Sequence, residues 1–148
     1  MRTLSTSAAD QEIIDLLEEW TELLAQEKYA EALDMLSPDP EQCWTPELLE
    51  SDVYGYGCPG YTREEAAREF GRADYRITSL RSSPYREQIL QSIDIGRFTP
   101  NSRPEQLGIV YYENVPLNGE MSDLTGIFFL KKVSDTSMAL EFHDLHVM

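Results

Sequence analysis

Six residues, Gly55-Tyr56-Gly57-Cys58-Pro59-Gly60, spell G-x-G-x-x-G. That spacing cradles a pyrophosphate when a buried strand runs into it and a helix opens from it. The glycines let the backbone come close, and the helix N-terminus offers free N–H groups. Asp74 follows Gly55 by nineteen residues, near where a ribose-binding acid belongs. The lead-in, however, is Pro46-Glu47-Leu48-Leu49-Glu50. Thr45 as N-cap with proline at the first helical position reads as a helical turn, not a strand. The glycines are therefore expected to form a turn with special backbone angles, and no cofactor is expected.

Two other residue types invite chemistry. Cys43 and Cys58 lie fifteen apart, and residues 1–9 lack the apolar stretch of a signal peptide. Reduced thiols in a cytoplasmic protein are the expectation. Cys43 is expected to be buried beside Trp44 and Cys58 to pack in its loop, with no His or acid tied to either for hydrolysis. His143 and His146 are three apart, so on one strand they point to opposite faces. That is a poor zinc spacing, and no metal is expected.

The elements that must position these residues follow from periodicity. Residues 11–26 repeat apolar side chains at helical steps, with Ser7 or Asp10 as cap and acids on the outer face. A second helix covers 28–36 and stops at Ser37-Pro38-Asp39-Pro40. Thr62 and Glu65 form a capping box, and Gly71 ends that helix. The second half changes period. Residues 75–81, 89–98, 107–115, 124–133 and 138–147 read as strands. Turn signals separate them at Ser82-Ser83-Pro84, Thr99-Pro100-Asn101, Asn118-Gly119 and Ser134-Asp135. Short links imply antiparallel pairing in a meander. Helices first and strands after is an α+β plan. One domain is expected: a flexible tail (1–9), a helical part (10–71) and an antiparallel sheet (75–147).

Charge narrows the function classes. Twelve basic residues against 27 acidic ones leave a net charge of −15. Nucleic acids and anionic membranes are excluded as partners by repulsion, and no apolar run reaches the ~20 residues of a membrane span. A basic protein partner is favoured instead.

The order of elements resembles the nuclear transport factor 2-like superfamily, which includes ketosteroid isomerase and SnoaL-like proteins. The stretches that carry the likeness are EEWTELLAQEKYAEALDMLSPD (18–39), YTREEAAREF (61–70) and GIFFLKKVSDTSMALEFHDLHVM (126–148). The resemblance implies a cone: N-terminal helices packed on a curved antiparallel meander, with a pocket at the mouth. It also implies back-to-back sheet pairing into a homodimer. Enzymes of that kind use a carboxylate base with a tyrosine and a protonated acid that hold an oxyanion. The candidates here are Asp94, Tyr111, Tyr112 and Asp144. In a dehydratase-like variant, His143 would be the base, oriented by an Asp. Other branches look like bacterial immunity proteins that neutralise toxins.

Two functions from different classes stand as expectations. The first is a non-catalytic, bacterial immunity-type binding protein. It would dock a toxin through an acidic, tyrosine-bearing surface made of Tyr54, Tyr56, Tyr61, Glu18, Glu22 and Glu50. Tyrosine suits an interface because it covers much area at low entropic cost. The second is a small-molecule isomerase or dehydratase-like enzyme, or a ligand carrier, using the cone pocket.

Overall fold

The computed structural model describes residues 1–58, 60–99 and 102–147. Pro59, Pro100 and Asn101, which belong to two of the expected turns, and Met148 lie outside the described residues.

Helix α1 (Asp10–Ala25) buries Ile13, Leu16, Leu17, Trp20 and Leu24, the apolar stripe that the helical period marks. Neither Ser7 nor Asp10 caps it. Ala9 is the N-cap, and the Glu12 carboxylate accepts the Ala9 N–H at 2.9 Å. Helix α2 (Tyr29–Asp34) follows after a short turn. Helix α3 (Pro46–Tyr54) starts as its sequence dictates, with Thr45 Oγ1 accepting the Leu48 N–H at 3.1 Å and proline in the first turn. Helix α4 (Arg63–Phe70) carries the reciprocal Thr62–Glu65 capping bonds at 3.1 and 3.2 Å. Gly71, at φ 78°, closes it in the left-handed conformation that glycine adopts without a Cβ penalty.

The expected strand at 89–98 is instead a helix and a short strand: α5 (Arg86–Ser92) and β2 (Asp94–Arg97). Ile89 and Ile93 are four apart and both buried, a helical spacing that the Ile93/Ile95 alternation masked. The expected strand at 75–81 is an extended segment with one isolated bridge, Ile77 to Leu117. Its hydrogen bonds go to the small hairpin of β4 (Pro116–Leu117) and β5 (Glu120–Met121), through Thr78 N–H to Pro116 O and Asn118 N–H to Arg76 O. Asn118 and Gly119, at φ 52° and 79°, make the hairpin turn.

The main sheet adds β1 (Leu4–Ser5), β3 (Gln106–Tyr112), β6 (Leu124–Lys132) and β7 (Ser137–Val147) in the order β1-β7-β6-β3-β2, all antiparallel and strongly curled. The architecture is α+β, with N-terminal helices on a cone-like sheet. The expected tail at 1–9 is not free: Leu4 pairs with Met138, and Ala8 is buried.

The core lies between α1 and one face of the sheet. Val110, Tyr112, Phe128, Leu130, Leu140 and Phe142 project there with the apolar face of α1. Trp20 is fully buried, with its ring 5.1 Å from Phe128 and 5.6 Å from Phe142. Aromatic rings of this size each remove about 150–250 Å² from water, so they dominate the packing.

A β-bulge sets which residues reach the other face. Phe128 pairs with Phe142 but Ile127 pairs with Asp144, so His143 is the extra residue. The outer edge of β7 is also covered piecewise. After β1, Ser37 N–H donates to Leu140 O at 2.7 Å, Trp44 Nε1–H donates to His143 O at 3.4 Å, and Gly57 crosses at His146.

Candidate functional site

The G-x-G-x-x-G loop closes α3 rather than a strand. Gly57 N–H donates to Asp52 O at 2.8 Å. Tyr56, Gly57 and Gly60 all have positive φ, at 52°, 83° and 87°. A Cβ on Gly57 would lie 2.8 Å from the His146 Cα, so this glycine is required by a close pass over β7. The loop lacks the strand–turn–helix context that gives the fingerprint its meaning.

The tyrosines that flank it are largely packed. Tyr54 is buried and its hydroxyl donates to Tyr61 O, with Arg63 over its ring. Tyr56 donates to Asp123 and stacks on Tyr75. Tyr61 lies edge-on to Phe70, which is partly exposed. Glu50 pairs with Arg63 at 3.2 Å. Glu18 and Glu22, expected on a solvent-facing acidic surface, serve the fold instead. Glu18 is buried and holds Arg86 at 2.9 and 3.2 Å, with Arg81 at 3.5 Å. Glu22 accepts from Ser79 Oγ at 2.6 Å and Leu80 N–H at 2.9 Å. Both fasten α1 to the segment around α5 because that segment supplies otherwise unpaired donors. Cys43, expected to be buried, is exposed, and Cys58 is partly buried; both are free thiols.

The five residues of the acid–base set do not converge. Tyr112 is fully buried on the core face, its hydroxyl 2.9 Å from Thr21 Oγ1, and burial pushes its ionisation upward. Tyr111 projects to the opposite face, in one cross-strand row with Asp94, Ile127 and Asp144. Asp94 is exposed on β2, and three strand spacings of about 4.8 Å separate it from Asp144. The hollow of the cone is filled by Trp20, Tyr112, Phe128 and Phe142.

The two histidines share a face, contrary to their spacing. The bulge at His143 resets the alternation by one residue. His143 then lies 5.0 Å from the Phe129 ring, and His146 sits opposite Thr125 on that same face. His146 Nδ1 is 2.7 Å from Asp144 Oδ2. Beneath this end of β7, Asp52 is fully buried on the Leu49–Val53 face of α3. Neither carboxyl oxygen finds a hydrogen-bond partner among the described residues. Burial, and then the charge of Asp144, push its pKa from 3.8 up to about 8.

A groove of about 470 Å³ opens on the outer face of the sheet, walled by Asp39–Glu41, Glu105, Gln106, Phe129, Lys131, Glu141 and His143. The side chains of Asp39 and Glu141 are only 7% and 9% exposed. Asp39 Oδ1 accepts the Glu41 N–H at 2.8 Å, while its Oδ2 faces His143 Nδ1 at 3.7 Å. Glu141 Oε2 lies 2.8 Å from Lys131 Nζ. Buried carboxylates of this kind need a cation nearby. Asp39 was legible only as part of a helix stop. Glu141 carried no signal that set it apart within the last strand. Among the described residues no helix is long and apolar enough to cross a membrane. No protein-family model, curated protein or solved structure matches this chain.

Proposed function

We propose that this chain is a non-catalytic binding protein of the nuclear transport factor 2-like type. It works in the cytoplasm as a bacterial immunity-type inhibitor and captures a basic protein partner, such as a toxin. The observation that carries this reading is the filled cone. Trp20, Tyr112, Phe128 and Phe142 occupy the hollow that a small-molecule enzyme or carrier of this shape would need. That leaves the surface for binding, and even with Glu18, Asp52 and Glu141 buried the chain's 27 acids far outnumber its 12 basic residues. Several of those bases are already engaged inside the molecule, as Arg86 is by Glu18 and Lys131 by Glu141. A surface with this surplus draws a cationic partner at long range and speeds its docking.

The test is capture from an extract of the native host on the immobilised chain. At about 50 mM salt a basic protein should be retained, and raising salt to about 0.5 M should release it, because screening shortens the reach of exposed charges to a few ångströms. Retention that ignores salt, or no retained protein at low salt, overturns the proposal.

A further inference from the structure

Beyond the core, the sheet carries a second surface of mixed character. Ile109, Tyr111 and Phe129 are half-buried and do not join the core packing. They lie on the outer face, where Ile109 pairs with Phe129 and Phe129 with Glu141. The strip runs without a break into the groove at His143. Apolar side chains left outside a core and fringed by charge mark binding surfaces.

The charges say what fits there. Asp39 and Glu141 are sunk in the groove, with Glu41 and Glu105 exposed at its rim. Lys131 is the cation facing them, already 2.8 Å from Glu141. The groove therefore holds an excess of negative charge around an aromatic floor of Phe129 and His143. A planar guanidinium suits it on two counts, because it can bond a carboxylate side-on and stack on a ring face. A second copy of this chain fits badly, since face-to-face pairing would set the same acids against one another at a net charge of −15 each.

We infer that the outer face of the sheet docks a basic segment of a protein partner, with an arginine in the Asp39–Glu141 groove and apolar side chains along Ile109, Tyr111 and Phe129. This assignment rests on the binding-protein reading above. It places the contact on the sheet and not on the tyrosines of the glycine loop.

The test uses the full chain, labelled with ¹⁵N, and three ten-residue peptides. One alternates Arg and Leu, one alternates Arg and Ser, and one alternates Glu and Leu. Titration at about 50 mM salt should shift the amides of Ile109, Phe129, Lys131, Glu141 and His143. The Arg/Leu peptide should bind at least fivefold tighter than the Arg/Ser peptide, and the Glu/Leu peptide should not bind. Glu41→Gln and Glu105→Gln together, at exposed rim positions, should weaken binding about threefold or more with an unchanged melting temperature. Phe129→Ala should reduce the Arg/Leu advantage. Shifts confined to α1 or to residues 54–61, or equal affinity for the Arg/Leu and Arg/Ser peptides, overturn the docking surface while leaving a basic partner in place. Binding by neither arginine peptide overturns both readings. A peptide-free dimer whose interface shifts these same amides overturns the docking surface in favour of a second copy.

Discussion

Replacing Asp52 with Asn gives the sharpest test of how α3 sits on β7. The carboxyl is fully buried, without a hydrogen-bond partner among the described residues, and its pKa rises from 3.8 to about 8. Between those values the folded chain holds a proton on Asp52 that the unfolded chain has released. Stability contributed at this site is therefore full below about pH 4 and is lost as pH rises toward about 8, beyond which it changes no further. At 1.36 kcal/mol per pH unit the whole interval is an upper bound of about 6 kcal/mol. Relaxation and water penetration ordinarily reduce the penalty of a buried charge, so about 2–3 kcal/mol is expected. Asn cannot ionise and removes the dependence. Urea unfolding followed by tryptophan fluorescence at pH 4, 6 and 8 measures it. The Asp52→Asn variant should match the native chain at pH 4, apart from a constant offset, and gain on it steadily up to pH 8. A difference between the two that stays flat across this range, within about 0.5 kcal/mol, would refute the account.

Two further substitutions probe the same framework. Gly57→Ala places a Cβ 2.8 Å from the His146 Cα at a φ of 83°, so a loss of about 2–3 kcal/mol in a thermal or urea melt is expected, because the atoms it meets belong to the β7 backbone and cannot swing away. Glu18→Gln leaves Arg86 and Arg81 without their buried carboxylate and should cost about 1–3 kcal/mol, with faster hydrogen exchange across α5 as the local signature.

Much of the architecture was legible because it is written in local chemistry. Thr45 before Pro46 and Thr62 with Glu65 each fix a helix start through bonds made within four residues, and Gly71 ends α4 through its left-handed backbone angle. The strands 106–112, 124–132 and 137–147 follow from β-rich runs bounded by turn residues. What failed depends on distant partners. Residues 86–92 are helical although Ile93 and Ile95 alternate like a strand, because Ile93 caps the end of the helix and Ile95 already lies in β2. Glu18 and Glu22 looked like solvated acids because the donors they meet, Arg86, Ser79 and Leu80, lie more than fifty residues away. The bulge at His143 has no glycine or proline to announce it, yet that single extra residue moves Asp144 and His146 to the face shared with Phe129. The groove was hidden for the same reason: Asp39 and Glu141 are brought together by Ser37 lying along β7.

The piecewise cover on β7 bears on how this chain would misbehave. A long, β-rich closing strand is a ready template for adding a foreign strand, and here its edge is covered by three unrelated fragments: Leu4–Ser5 pairs with it, while the Ser37 N–H and the Trp44 indole N–H donate to its carbonyls. Proteolysis between residues 37 and 44 would strip two of the three guards at once. The molecule would then be open to end-on stacking into fibrils while its aromatic interior stayed intact.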